Sequence, residues 1–392
     1  MTQRFINPDI VTWARERAGL SVDNLAKKMA VKPERLQKWE AGEVPMTLKQ
    51  MKKLAKKTYT PLGYLFSEKP PEETLPIPDF RTFGDHDPLR AKPSATLLDT
   101  IYTMQRRQNW FRDYLIEAGA EPLPFVTGHS TRQGVGRTAV AIRDFLQVDE
   151  DKGIAEHAPG REAAIRDLIE STESNTGILV LRNGVVGNNT HRPLDVAEFR
   201  GFTLYDEYAP LIFINGKDAK AAQIFTLAHE LAHLWIEQGG VSNIDFRTMD
   251  EADSTEKFCN AVAAELLVPL APFLRSWEKE APAKQQIEQI GKRLNVSNLV
   301  IARRALENNL VTHDWYWDFY EAEEKRRKET PYSAASGGNF YATYWYRAGR
   351  RFARAVIVSA MEGKLPYRDA HKLLDIKTTA TFNKVAKNLG QM

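Results

Sequence analysis

The residues with the plainest chemical meaning lie in Thr226 to Trp235, TLAHELAHLW, where His229, Glu230 and His233 form an HExxH pattern. Residues four apart in a helix stand one turn above each other, so both imidazoles can reach one metal ion. Glu230, rotated beside them, can reach a water at that ion. From Ile224 to Ile236 the polar side chains Thr226, His229, Glu230 and His233 fall on one stripe of an otherwise apolar helix. Two imidazoles and a carboxylate buried without partners would cost several kcal/mol, and a divalent cation is the simplest compensation. A plain buried histidine pair is the competing reading.

A catalytic zinc takes three protein ligands and leaves one position open. The third ligand is sought in EKFCNAVAAELLVP, Glu256 to Pro269, where Glu256 and Asn260 share a helix face. Glu251 and Glu265 are fallback ligands, and Glu256 could instead serve a capping box with Asp253. HExxH followed by an acidic helix reading ExxxN and ending in Leu-Leu-small-Pro resembles the ImmA/IrrE metallopeptidase family. The resemblance implies that His229, His233 and Glu256 hold zinc, that Asn260 orients a histidine, and that Glu230 is the catalytic base in amide hydrolysis. Tyr205, Tyr208, His191 and Arg247 are candidate oxyanion donors, with nothing in their spacing to choose among them. Strand Leu211 to Asn215, just ahead of the zinc helix, is expected to align substrate by β-addition, as zincin edge strands do.

A second site is expected at the N-terminus. Of the 54 Lys+Arg and 51 Asp+Glu, residues 1–70 carry 14 and 7, leaving 40 and 44 for the rest, so the basic excess belongs to one end. Ser21 to Glu40, SVDNLAKKMAVKPERLQKWE, places Leu25, Ala26, Met29, Val31, Leu36 and Trp39 where two crossed helices share a core. With Trp39, Glu40 and Gly42 it resembles the Xre (lambda-repressor-like) helix-turn-helix family over about 65 residues. In that family the second helix enters the major groove, which would bring Lys32, Glu34, Arg35 and Lys38 near DNA, with Lys32, Arg35 and Lys38 as the contacts. Three positions depart from the family pattern: Val22, Ala30 in place of the turn glycine, and Glu34. A protein-docking module is the other reading.

These sites need elements to carry them. Short helices are expected at Asn7 to Ala18, Ser21 to Met29, Pro33 to Ala41, Thr47 to Tyr59 and Pro61 to Phe66. The stretch KPPEETLPIPD, Lys69 to Asp79, holds four prolines and reads as a spacer. A long helix from Ser94 to Ala118 follows, then helices near Arg137 to Leu146 and Arg161 to Glu170. Strands are expected at Gly177 to Leu181, Phe199 to Tyr205 and Leu211 to Asn215. The segment Phe340 to Arg354 reads as an amphipathic helix with a solvated arginine face. The fold class is α+β: an all-α helix-turn-helix domain at 1–70, a proline-rich linker at 71–92, a zincin-like peptidase domain with a small sheet at 93–330, and a helical C-terminal extension at 331–392.

Composition is globular, and no apolar run approaches the roughly 20 residues of a membrane span. The one cysteine, Cys259, reads as a small buried hydrophobe and suits a reducing compartment, so the cytoplasm is expected. The combined expectation is a cytoplasmic zinc metalloprotease that binds its own operator DNA and cleaves a partner protein such as a repressor or antitoxin. The alternative is a DNA-binding antitoxin or regulator whose zincin fold is a scaffold for a toxin. A homodimer is also expected among the partners, and a membrane is not. The family resemblance further implies relief of repression by cleaving a repressor.

Overall fold

The computed structural model describes residues 6–79, 92–125, 131–149, 151–237, 239–242, 254–329 and 340–390. The chain divides into two compact units, Met1–Pro76 with Asp85–Ile101, and Ile77–Gly84 with Tyr102–Met392.

In the first unit four helices, α1 (Pro8–Arg17), α2 (Val22–Met29), α3 (Pro33–Glu40) and α4 (Leu48–Thr58), are followed by a 3-10 turn at Leu62–Phe66. Their ends follow from local chemistry. Asn7 and Ser21 accept bonds from the backbone N–H groups of Asp9 and Asn24, and Thr47 and Gln50 close a capping box on α4. Pro33 opens α3, where its missing N–H is not needed. The helices share a core of Ile10, Ala14, Leu25, Met29, Leu36, Trp39 and Leu54. Arg15 ties α1 to α3 through Glu40, Nε to Oε1 2.6 Å. Within the proline-rich stretch, Glu73 takes both Nε and Nη2 of Arg17, at 2.5 and 2.8 Å.

In the second unit, α5 (Ala95–Glu117, from Tyr102 on), α6 (Val135–Leu146) and α7 (Arg161–Thr176) precede the strands. The strands are β1 (Leu179–Asn183), β2 (Val185–Val186), β3 (Asn189–Pro193), β4 (Gly201–Leu204), β5 (Leu211–Asn215) and β6 (Gly240–Ser242). One sheet has the order β1-β5-β4-β6, with β1 parallel to β5 and β4 antiparallel to both its neighbours; β2 and β3 pair separately. Helix α8 (Lys220–Trp235) lies against the face carrying Val180, Ile212 and Ile214. Phe202 and Phe213, on the other face, stack at 4.9 Å. Helix α9 (Ser254–Leu267) packs on α8 through Cys259, Val262, Ala263 and Leu266. Helices α10 (Leu270–Ser276), α11 (Ala283–Arg293), α12 (Asn298–Glu307) and α13 (His313–Glu329) continue the domain. The C-terminal region is α14 (Phe340–Ala348), α15 (Arg350–Met361), α16 (Tyr367–Leu373) and α17 (Thr379–Asn388).

Three expectations are corrected. Strand β5 is internal, between β1 and β4, so it offers no free edge; the edge beside β4 is β6, where Val241 N–H donates to the Pro78 carbonyl at 3.0 Å and Asp79 forms a parallel bridge. Helix α7 runs on to Thr176 although its last turns are polar. Thr176 satisfies its buried hydroxyl on the Thr172 carbonyl at 2.7 Å. The segment Phe340 to Arg354 is two helices broken at Gly349, whose φ is +75°. Its arginines are not all solvated, since Arg347 donates to Asn188 and Arg351 to the Gly177 carbonyl. Arg107 of α5 anchors the region by donating to the carbonyls of Leu373 and Arg347 and to Asp375. No single helix among the described residues is long and apolar enough to cross a membrane.

Ala30 ends α2 in the left-handed conformation, φ 51° and ψ 52°, where a Cβ costs roughly 1 kcal/mol. Ala30→Gly relieves that cost and gives back part of it as unfolded-chain entropy. Amide exchange in α2 and α3 of the full chain is therefore expected to slow by ~2–5-fold. Faster exchange would contradict the reading of Ala30 as a strained turn residue.

Candidate metal centre and nucleic-acid face

Every side chain of α8 from Gln223 to Trp235 is buried. Apolar packing on all sides comes from the alanines and leucines between the polar positions, with Trp235 stacked on Phe125 at 4.5 Å. A polar group here must therefore be answered by another element of the protein. Gln223 does so at the start of the helix, donating to the carbonyl of Asp218 at 2.6 Å.

His229 and His233 are answered by α9. Their Nε2 atoms lie 3.0 Å apart, and Glu256, in the first turn of α9, meets them at 3.3 Å (Oε2 to His229) and 2.9 Å (Oε1 to His233). All three offer ligand atoms within 4.8 Å of one another. Burial works to raise the Glu256 carboxyl, but the two imidazoles outweigh it and hold its pKa at about 2. Burial disfavours charge on His229, yet the Glu256 carboxylate prevails and raises its pKa, with a smaller contribution from the side chain of Asn260. Two imidazole nitrogens and a carboxylate oxygen thus lie within 4.8 Å of one another, and a divalent cation among them would satisfy all three. Two nitrogens and one oxygen are a donor set that zinc accepts with a position left open.

Glu230 neighbours this cluster without being one of its three members. Its carboxylate turns to β4, where the Thr203 hydroxyl donates to Oε2 at 2.6 Å. Burial raises its pKa against the pull of His233, His229 and Thr203. Thr203 was not among the residues singled out from the sequence. A contact between a strand and the helix packed on it leaves no local spacing to read.

Glu265 is engaged elsewhere: it pairs with Arg304 of α12 and accepts from the Leu270 N–H at the start of α10. Arg247, Glu251 and Asp253 lie outside the described residues, as do residues 80–91 of the linker. His191 is exposed on β3 of the separate two-stranded sheet. Tyr205 packs half-buried against the core that α8 enters, and the Tyr208 N–H donates to Asp206. Cys259 is fully buried in that core.

On the first unit, Lys32, Arg35 and Lys38 are all exposed along α3, with Lys32 as its N-cap residue and the Arg35 guanidinium 5.6 Å from the centre of the Trp39 ring. Glu34 is exposed between them. Lys53 of α4, also exposed, donates to the Met29 carbonyl at the end of α2.

Residues 175–306 match the IrrE N-terminal-like domain family, residues 11–65 the helix-turn-helix family, and residues 348–388 a domain of unknown function (DUF8813). Comparison with curated proteins and with solved structures finds no match. The first match spans the sheet from β1 onward, α8 and α9, and so contains His229, Glu230, His233 and Glu256; the second runs from within α1 through α4. The chain therefore joins an Xre-type helix-turn-helix module to an IrrE N-terminal-like peptidase domain.

Proposed function

We propose that this protein is a cytoplasmic regulatory zinc metalloprotease that binds its own operator DNA and cleaves a partner protein, such as a repressor or an antitoxin. One observation carries the reading. Three buried ligand-type side chains converge, and a carboxylate that is not one of them stands beside them on the same helix. A site that only held a metal would have no use for Glu230.

In this reading His229, His233 and Glu256 hold the ion, and Asn260 steadies His229. Zinc, when bound, supplies Lewis acidity at a scissile amide carbonyl. Glu230, its pKa raised by burial, takes the proton from the attacking water and passes it to the leaving amine. The exposed Lys32, Arg35 and Lys38 contact DNA phosphates or bases from α3. The single cysteine suits a reducing compartment.

Elemental analysis of the purified protein is expected to find one zinc per chain. His229→Ala and His233→Ala should each lose it, and Glu256→Gln should bind it more weakly. Stoichiometric zinc in both histidine variants would put the site elsewhere.

Glu230→Gln is expected to retain zinc and fold, and to slow cleavage of a partner captured by pull-down, or of the neighbouring gene product, by roughly 10² to 10⁴-fold. Normal regulation in cells by the Gln variant would leave the scaffold reading in its place.

Gel shifts with the upstream region of its own operon are expected to show binding that weakens in Arg35→Ala. In Lys38→Ala the salt slope should fall by about one. Absence of binding at low salt by folded protein would favour protein docking.

A further inference from the structure

Glu230 can carry a proton only if something aims its carboxylate. A glutamate has several rotatable bonds, and a base serves only if the correct oxygen is presented. Among the described residues, one group is placed for that task. Thr203 and Glu230 are both fully buried, and the hydroxyl of Thr203 lies 2.6 Å from Oε2, well within hydrogen-bond range. A second, longer approach of the same hydroxyl to the Glu230 carbonyl, 3.4 Å, keeps Thr203 over this residue of the helix.

The neighbouring backbone is shaped for the same contact. Gly201 lies two positions before Thr203 on the same face of β4. A Cβ there would stand 2.5 Å from Cγ2 of Thr226 and 3.0 Å from Oε1 of Glu230, so any side chain would push the strand off the carboxylate. The β6 residue opposite Thr203 is Gly240, which adds no bulk on that face. With Oε2 occupied, Oε1 is buried and has no hydrogen-bond partner among the described residues. The two oxygens are thus unlike: one is fixed to the sheet and the other is left for exchange.

We infer that Thr203 is a positioning residue for the base: its hydroxyl clamps Oε2 of Glu230 and leaves Oε1 as the oxygen that takes and returns the proton. This rests on the reading of Glu230 as the base beside a bound metal. It asks more of Thr203 than filling a hydrogen bond, because a buried carboxylate could be satisfied in any orientation.

The test uses the full-length, zinc-loaded protein and acetohydroxamate, a small metal-binding probe whose acidic proton needs an aimed carboxylate, with binding followed by calorimetry alongside zinc content and melting temperature. Thr203→Val removes the donor at nearly constant shape and is expected to keep zinc while weakening acetohydroxamate roughly tenfold. Thr203→Ser keeps the donor and should restore affinity to within about threefold. Should the valine variant not fold, Thr203→Ala, which adds no methyl against the carboxylate, takes its place. Combined with Glu230→Gln, loss of the threonine donor should cause no further weakening, since both changes remove the same clamped base. Wild-type affinity in the donor-free variant, failure of Thr203→Ser to rescue, or a full additional loss on top of Glu230→Gln would each overturn the inference. Failure of the parent reading has a different signature: wild-type protein that takes up no zinc, or a Glu230→Gln variant that binds acetohydroxamate as wild type does, removes the base itself and the inference with it.

Discussion

A helix buried on every side cannot carry charge unless other elements come to meet it, and that constraint organises the peptidase domain. α8 brings His229, Glu230 and His233 into an apolar core, where each unanswered group would cost several kcal/mol. Glu256 answers the histidines from the first turn of α9, and Thr203 answers Glu230 from β4. The packing of α9 through Cys259, Val262, Ala263 and Leu266 and the close approach of β4 at Gly201 serve these contacts as much as they serve burial. Removing any of these polar partners would leave another of them exposed to the core.

The first unit obeys a milder version of the same rule. Arg15 and Glu40 fix α1 against α3 at the margin of a small core, and Lys53 answers a carbonyl at the end of α2, so these charges are spent on structure. Lys32, Arg35 and Lys38 are left exposed on α3. The proline-rich stretch is engaged along part of its length: Glu73 pairs with Arg17 in the first unit, and Pro78 and Asp79 sit on β6 in the second. An edge at which an extended peptide could add to the sheet is thus covered by the chain itself.

The parts of the site legible in the sequence are those whose logic is local. HExxH is readable because helical geometry alone brings positions four apart to one face. Glu256 was one of several acidic residues, singled out by family resemblance; the engagement of Glu265 by Arg304 and Leu270 depends on the packing of α10 and α12, which no spacing encodes. Thr203 was invisible because its partner lies on another element, 27 residues on in the sequence, and the order of strands β5 and β4, on which the edge depends, is likewise non-local. Arg347 and Arg351 looked solvated because charged side chains usually are, yet carbonyl and amide partners from distant segments draw them inward. Ala30 was legible as an anomaly, and its left-handed backbone gives the reason.

X-ray absorption at the zinc edge of the purified, metal-loaded protein addresses the convergence of ligands most directly. The structure predicts a first shell of nitrogen and oxygen only, with the scattering pattern of two imidazoles, and the same spectrum in Glu230→Gln because that carboxylate belongs to Thr203. A sulfur contribution, which Cys259 alone among cysteines could provide, or a shell that changes on replacing Glu230, would contradict the account.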